Sequence, residues 1–147
     1  MIAGVEGVRT GIHVCRGNWS RNEEVLLTGD YARLLPGFSA MQVQQFVLEY
    51  ATPRAGPEAL LAQLPRDKSI GFGVVNPRTE PDEQPAAIAA RVRSLERQLG
   101  QGRIWLNPDC GFGTFADRPG ATAAVAARKC EILAAAARLL RGDLASA

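Results

Sequence analysis

Four side chains have the types and placement to hold a metal ion: His13, Cys15, Glu49 and Cys110. His13 and Cys15 stand two residues apart in Thr10-Gly11-Ile12-His13-Val14-Cys15. On a strand, positions i and i+2 face the same side, so both can reach one ion. For the tripeptide alone, a core histidine beside a buried cysteine is the plainer account. Glu49 closes the apolar run Phe46-Val47-Leu48. A carboxylate there is seldom buried without a partner; a solvated strand end or a structural salt bridge fits it equally. Cys110 lies in Asn107-Pro108-Asp109-Cys110-Gly111-Phe112-Gly113, just after Ile104-Trp105-Leu106. A small residue in a tight turn would explain the cysteine, but not the polar groups crowded around it.

Taken together, one histidine, two cysteines and one glutamate suit tetrahedral zinc. Thiolates favour zinc over magnesium or calcium. Two thiolates and a carboxylate carry more negative charge than zinc carries positive. Such an electron-rich centre is a poor activator of water. It is better suited to binding an incoming thiol, lowering its pKa and leaving it nucleophilic near neutral pH. Glu49 is the hardest and weakest of the four ligands, and the readiest to yield its place. No further side chain is assigned a catalytic role. Arg16, next to Cys15, is placed to meet a substrate carboxylate or simply to lie solvated in a loop. Asp109, next to Cys110, is placed to hold a ligand from behind or to cap its own turn. Trp19 and Phe112 can wall the site, though core packing is the simpler expectation for both. Cys130, between Lys129 and Glu131, is expected to pack within a helix and has no assigned role.

The elements that must position these residues follow from periodicity. Strands are expected at residues 10–15, 43–50, 69–75 and 104–106. Ser20 is expected to cap a helical segment containing Val25, Leu26 and Leu27, and a helical piece from Tyr31 to Leu35 should end at Pro36-Gly37. Pro57 should open a helix from Glu58 to Leu64. Ile88, Val92, Leu95 and Leu99 form a helical stripe in a helix from about Asp82, stopped by Gly100 and Gly102. A final alanine-rich helix should run from about Pro119 to Arg141. Strands alternating with helices imply α/β architecture with a parallel sheet. Four βα units match half of an eight-stranded (βα)8 TIM barrel, in which functional residues sit at the C-terminal ends of strands. All four candidate ligands fall there.

Composition narrows the classes. A chain of 147 residues with 46% apolar and 22% charged residues is expected to be one globular domain over 1–147. A net charge of +2 makes no electrostatic case for nucleic acid or an anionic membrane. No apolar run approaches the ~20 residues of a membrane helix, and Met1 to Thr10 lacks a signal-peptide core. Three cysteines, an odd number, argue against a disulfide framework. The expected location is the cytoplasm.

His13-Val14-Cys15, then Leu48-Glu49-Tyr50, then Asn107-Pro108-Asp109-Cys110-Gly111 resemble the zinc-binding C-terminal catalytic barrel of cobalamin-independent methionine synthase and its shorter relatives. The resemblance runs from Gly11 to about Arg141, and Asn-Pro-Asp-Cys-Gly is its most specific piece. It implies a Zn2+ cofactor held by His13, Cys15, Glu49 and Cys110. It also implies methyl transfer to the thiol of homocysteine, forming methionine, from a methylated folate or another carrier. Family members carry a whole barrel, and this chain matches the second half. The expected partner is a second copy, or a separate chain supplying the first half; an apparent start at Met1 within a longer gene is a further expectation. The family's synthases also carry an Asp-Ile-His-Ser-type motif after the third of these strands. Here that position reads Val75-Asn76-Pro77-Arg78, without histidine. The alternative reading is a zinc-binding remnant or regulatory module without transferase activity.

Overall fold

The computed structural model describes residues 4–117 and 120–142. Four strands, β1 (Gly11–Val14), β2 (Gln45–Glu49), β3 (Ser69–Val75) and β4 (Ile104–Pro108), form one sheet in the order β1-β2-β3-β4. Every pairing is parallel. The register aligns His13 with Val47, Val47 with Gly71, and Gly71 with Trp105 across the sheet. The architecture is α/β, equivalent to half of a (βα)8 barrel, as the alternation of elements predicts.

The β3 strand is buried along its whole length, as expected for a central parallel strand covered on both faces. Phe46, Leu48, Ile70, Phe72 and Val74 share the outer face and build the core with Leu35, Phe38, Ile88, Val92, Leu95 and Ile132. Phe38 stacks on Phe46 with ring centroids 4.7 Å apart. The opposite face carries His13, Val47 and Glu49, with Gly71 and Gly73 on β3. Gly73 has no room for a side chain. A Cβ there would press on Asp109 Oδ1 and lie 2.7 Å from the Leu48 carbonyl oxygen. Tertiary approach, not strand propensity, demands this glycine.

The long helices match their patterns. Helix α2 (Pro85–Leu99) buries Ile88, Val92, Leu95 and Leu99. Helix α3 (Ala123–Arg141) starts later than expected, at a cap in which Thr122 accepts from the Val125 N–H at 3.3 Å; Pro119, its expected start, lies outside the described residues. The first two connections are less helical than the pattern suggests. After β1 come 3-10 turns at Glu23–Val25 and Ala32–Leu34, then the six-residue helix α1 (Leu35–Ala40). Asn22, not Ser20, caps the first turn. Pro36 and Gly37 lie inside α1 rather than ending the helical stretch before it, because proline lacks only an N–H that a first turn leaves unpaired anyway. After β2 the chain forms only 3-10 turns, at Pro53–Ala55 and Glu58–Gln63. Prolines 53, 57 and 65 deny that segment a continuous α-helical ladder. Cys130 is exposed in α3, whereas its neighbour Lys129 is fully buried, donating to the Pro81 carbonyl and to Glu83. Among the described residues no helix is long and apolar enough to cross a membrane.

Candidate metal centre

The sheet brings the C-terminal ends of β1, β2 and β4 together, and with them all four candidate ligands. His13 lies within β1, Cys15 follows it, Glu49 ends β2, and Cys110 follows β4. One ligand atom from each residue lies within 4.8 Å of every other. Cys110 Sγ sits at the middle of the group. It is 3.3 Å from His13 Nε2, 3.3 Å from Cys15 Sγ and 3.1 Å from Glu49 Oε1.

Three of the ligands are oriented by something behind them. His13 Nδ1 lies 3.1 Å from the Val47 carbonyl oxygen. A carbonyl can only accept, so Nδ1 carries the hydrogen and Nε2 offers its lone pair inward. Cys15 Sγ accepts from the Gly17 N–H at 3.4 Å. Gly17 holds φ at +114°, and a Cβ there would strike the Trp19 ring. Glu49 is 2% exposed. Its Oε1 accepts from the Arg16 backbone N–H at 3.0 Å, and its Oε2 from Arg54 Nη2 at 2.7 Å. Its own N–H donates to the hydroxyl of Tyr31 at 3.0 Å. Burial of that hydroxyl pushes the Tyr31 pKa up to about 12.

Burial also pushes the Cys110 thiol well above its ordinary range, aided by its contacts with Cys15 and Glu49. Three potential anions in one spot oppose one another's ionisation unless a cation joins them. The donor set fits zinc on distance too. Tetrahedral zinc with bonds of about 2.0–2.3 Å separates its ligand atoms by about 3.3–3.8 Å. The three separations from Cys110 Sγ, 3.3, 3.3 and 3.1 Å, lie at or just below that range and the other pairs fall within 4.8 Å, so small side-chain rotations bring the four donors to it.

Arg16 and Asp109 are placed as supports. The Arg16 side chain packs over the Tyr31 ring and donates to the carbonyls of Leu27, Gly29 and Arg54. At 7% exposed it is a tie between loops rather than an open cation. Asp109 is 1% exposed and touches none of the four ligand atoms. Its Oδ1 accepts from the N–H groups of Tyr50 and Ala51 at 2.9 and 2.8 Å, fixing the turn directly after Glu49. Burial pushes its pKa up to about 7, with the Ala51 hydrogen bond opposing and nearby Glu49 adding to the rise. Phe112 is half-buried, while Trp19 is 49% exposed. Trp19 lines a cavity of about 310 Å³ with Asn18, Arg78, Thr114 and Phe115. Asn18 donates to the Gly111 carbonyl and to Thr114, tying the loop after β1 to the loop after β4.

Sequence reasoning passed over Arg54, Glu23 and Arg78. Arg54 lies 3.0 Å from Glu23 Oε2, and Glu23 Oε1 accepts from Arg78 Nε and Nη2 at 3.1 and 2.7 Å. Glu49, Arg54, Glu23 and Arg78 thus alternate in charge away from the metal centre. Arg54 follows a candidate ligand by five residues, in the loop after the same strand, and that position was the available signal. Glu23 and Arg78 carry none, since only the fold joins residues so far apart in sequence.

The sequence model of the cobalamin-independent synthase catalytic domain matches residues 13–135. The chain belongs to that family. It is 32% identical over 141 residues to a methionine synthase of Pyrococcus abyssi, covering 93% of this chain and 35% of the relative. To a methionine synthase of Thermococcus kodakarensis it is 32% identical over 110 residues, 74% of this chain and 29% of the relative. The chain therefore spans about a third of the length of these curated relatives. Its fold superposes on a B12-independent methionine synthase of Shewanella sp. W3-18-1, solved in complex with selenomethionine, with a TM-score of 0.78 and 18% identity. That match covers 97% of this chain and 41% of the solved one.

Proposed function

We propose that this cobalamin-independent synthase domain holds one Zn2+ through His13, Cys15, Glu49 and Cys110 and takes part in methyl transfer to the thiol of homocysteine, forming methionine. The observation that carries the reading is the convergence of the four ligand atoms within 4.8 Å of one another. Zinc bound there would supply a Lewis acid that lowers the pKa of an incoming thiol and keeps its sulfur nucleophilic. The protein's own part is to hold the donors in place. Val47 sets the His13 tautomer, Gly17 supports Cys15, and Arg16 and Arg54 hold the two oxygens of Glu49. The homocysteine sulfur attacks the methyl carbon, and the thiol proton goes to solvent. The methyl–donor bond breaks with its electron pair staying on the donor, which takes up a proton from solvent.

In this reading residues 1–147 form one partial-barrel domain in the cytoplasm. The proposed partner is a second copy or a separate chain that completes the barrel. Among the described residues the outer strands, β1 and β4, each pair on one side only, which supports that expectation.

Zinc per chain after mild chelator dialysis tests the proposal. About one zinc per chain is expected, lost in Cys110→Ser; a chain that retains none overturns it. A second reading, a metal-binding module without transfer, is favoured by one observation. The loop after β3 offers Asn76 and Arg78, both hydrogen-bonded to Glu23, and His13 is the only histidine in the chain. X-ray absorption separates the two readings: homocysteine raises the metal–sulfur count if it enters the coordination shell, and leaves it unchanged for a structural site.

A further inference from the structure

We infer that Arg54 is a positioning residue that makes Glu49 the exchangeable ligand of the metal centre, by receiving its carboxylate when a thiol takes its place. The inference rests on the zinc reading above and assigns a role to the charges behind it.

The geometry separates the two oxygens of Glu49. Oε1 faces Cys110 Sγ at 3.1 Å and is the oxygen available to a metal. Oε2 faces away and meets Arg54 Nη2 at 2.7 Å. The carboxylate is 2% exposed, so water cannot take it in when it leaves the metal. A buried carboxylate that loses its only counter-charge is strongly disfavoured. With Arg54 in place that situation does not arise, because the same side chain that leaves the metal is already paired. His13 has only a backbone carbonyl behind it and Cys15 only an N–H. Glu49 alone among the four ligands has a full positive charge behind it.

Arg54 is itself held firmly. Its side chain is 8% exposed. Nη1 donates to the carbonyls of Arg16 and Leu27 at 3.0 and 3.1 Å. Nε lies 3.0 Å from Glu23 Oε2 as an ion pair, with the N–H not aimed along the contact. Glu23 is held in turn by Arg78, whose side chain is 1% exposed. The planar fork of arginine serves two carbonyls and two carboxylates at once, and lysine cannot reproduce that. Counted together, Arg54, Glu23 and Arg78 place one net positive charge behind the metal ligand. A second incoming anion at the metal would need such a charge nearby.

A distinctive sign follows. Without Arg54, Glu49 is a more strongly donating ligand, so affinity for metal in the absence of thiol stays level or tightens. Displacement of Glu49 becomes harder, so thiol affinity falls. A residue that merely held the fold would weaken both.

The test uses the full chain loaded with Co2+ in place of zinc. Metal affinity is measured by chelator competition, and L-homocysteine binding by the sulfur-to-cobalt absorption band. For Arg54→Met the expected result is metal affinity equal to or above wild type and homocysteine affinity at least tenfold weaker. Arg54→Lys should recover part of the loss. In the Glu49→Gln background, Arg54→Met should change homocysteine affinity less than twofold, because no carboxylate remains to be received. Unchanged thiol affinity, a parallel loss of metal and thiol, or an equal effect in the Glu49→Gln background each overturns the inference. Should Arg54→Met fail to fold by circular dichroism, the Lys variant carries the same cycle, with the same outcomes decisive. Wild-type chain that binds no metal, or whose cobalt spectrum ignores homocysteine, fails the zinc reading itself and removes this inference with it.

Discussion

Asp109 shows how a residue that touches no ligand atom can still decide where one sits. Its Oδ1 is the acceptor for the Ala51 N–H and shares the Tyr50 N–H with the Gly73 carbonyl. Asp109→Ala therefore leaves one buried donor without a partner and weakens a second. The expected cost is about 1–3 kcal/mol, read by urea unfolding, together with faster zinc loss to chelator. Gly73→Ala attacks the same contact from the other side. Its Cβ would meet the Leu48 carbonyl at 2.7 Å, and backbone cannot rotate away as a flexible side chain can. That variant is expected to lose stability and zinc together, measured by unfolding and by metal analysis.

Among the elements, the loops that follow β1, β2 and β3 are joined by charge as well as by the core. Glu23 comes from the first, Arg54 from the second and Arg78 from the third. Burial works against ionised Glu23, but its hydrogen bond and charge contact with Arg78, and the charge of Arg54, lower its pKa below the usual value. The folded pKa is thus below the unfolded one. The stabilisation is complete above the unfolded value of 4.5 and disappears as pH falls through the folded value. Glu23→Gln is expected to be less stable than wild type at pH 7, with the difference shrinking as the solution is acidified below about 4.5. Thermal melts across pH 3–7 check this, and a pH-independent difference would count against the ion pairs. The outer face of the sheet behaves differently. Phe46 and Phe72 are fully buried, and Phe72→Ala should cost roughly 3–5 kcal/mol through lost burial and the cavity left behind.

At the scale of the whole molecule, β1 and β4 each have an unpaired side among the described residues. Trp105, level with His13 in the register across the sheet, is 52% exposed. Beside β4, Ile104, Leu106, Leu133 and Leu140 line a cavity of about 460 Å³ next to α3. Open parallel edges and exposed apolar surface invite another chain. The chain is expected to sediment as a dimer or larger at micromolar concentration, and Trp105→Glu to shift it toward monomer. A well-folded monomer by analytical ultracentrifugation would count against a second copy as the completing partner.

The residue types and their positions at strand ends carried a large part of this account. His13 and Cys15 share a face because strand period is two, Glu49 ends an apolar run and Cys110 lies in the polar turn that follows another, so the candidate ligands and the parallel α/β order were legible without coordinates. The Ile88, Val92, Leu95 and Leu99 stripe likewise marked α2 through its helical spacing. The connections after β1 and β2 were not legible. Pro36 inside α1 and the 3-10 turns of 53–63 depend on how those connections pack against the sheet. Nor was the support behind the ligands. Whether Arg16 faces solvent or the carbonyls of Leu27, Gly29 and Arg54, and whether Arg54 reaches Glu49, are set by contacts between segments far apart in sequence. Local pattern determines which face a side chain leaves from; only the folded chain decides which distant charge it meets.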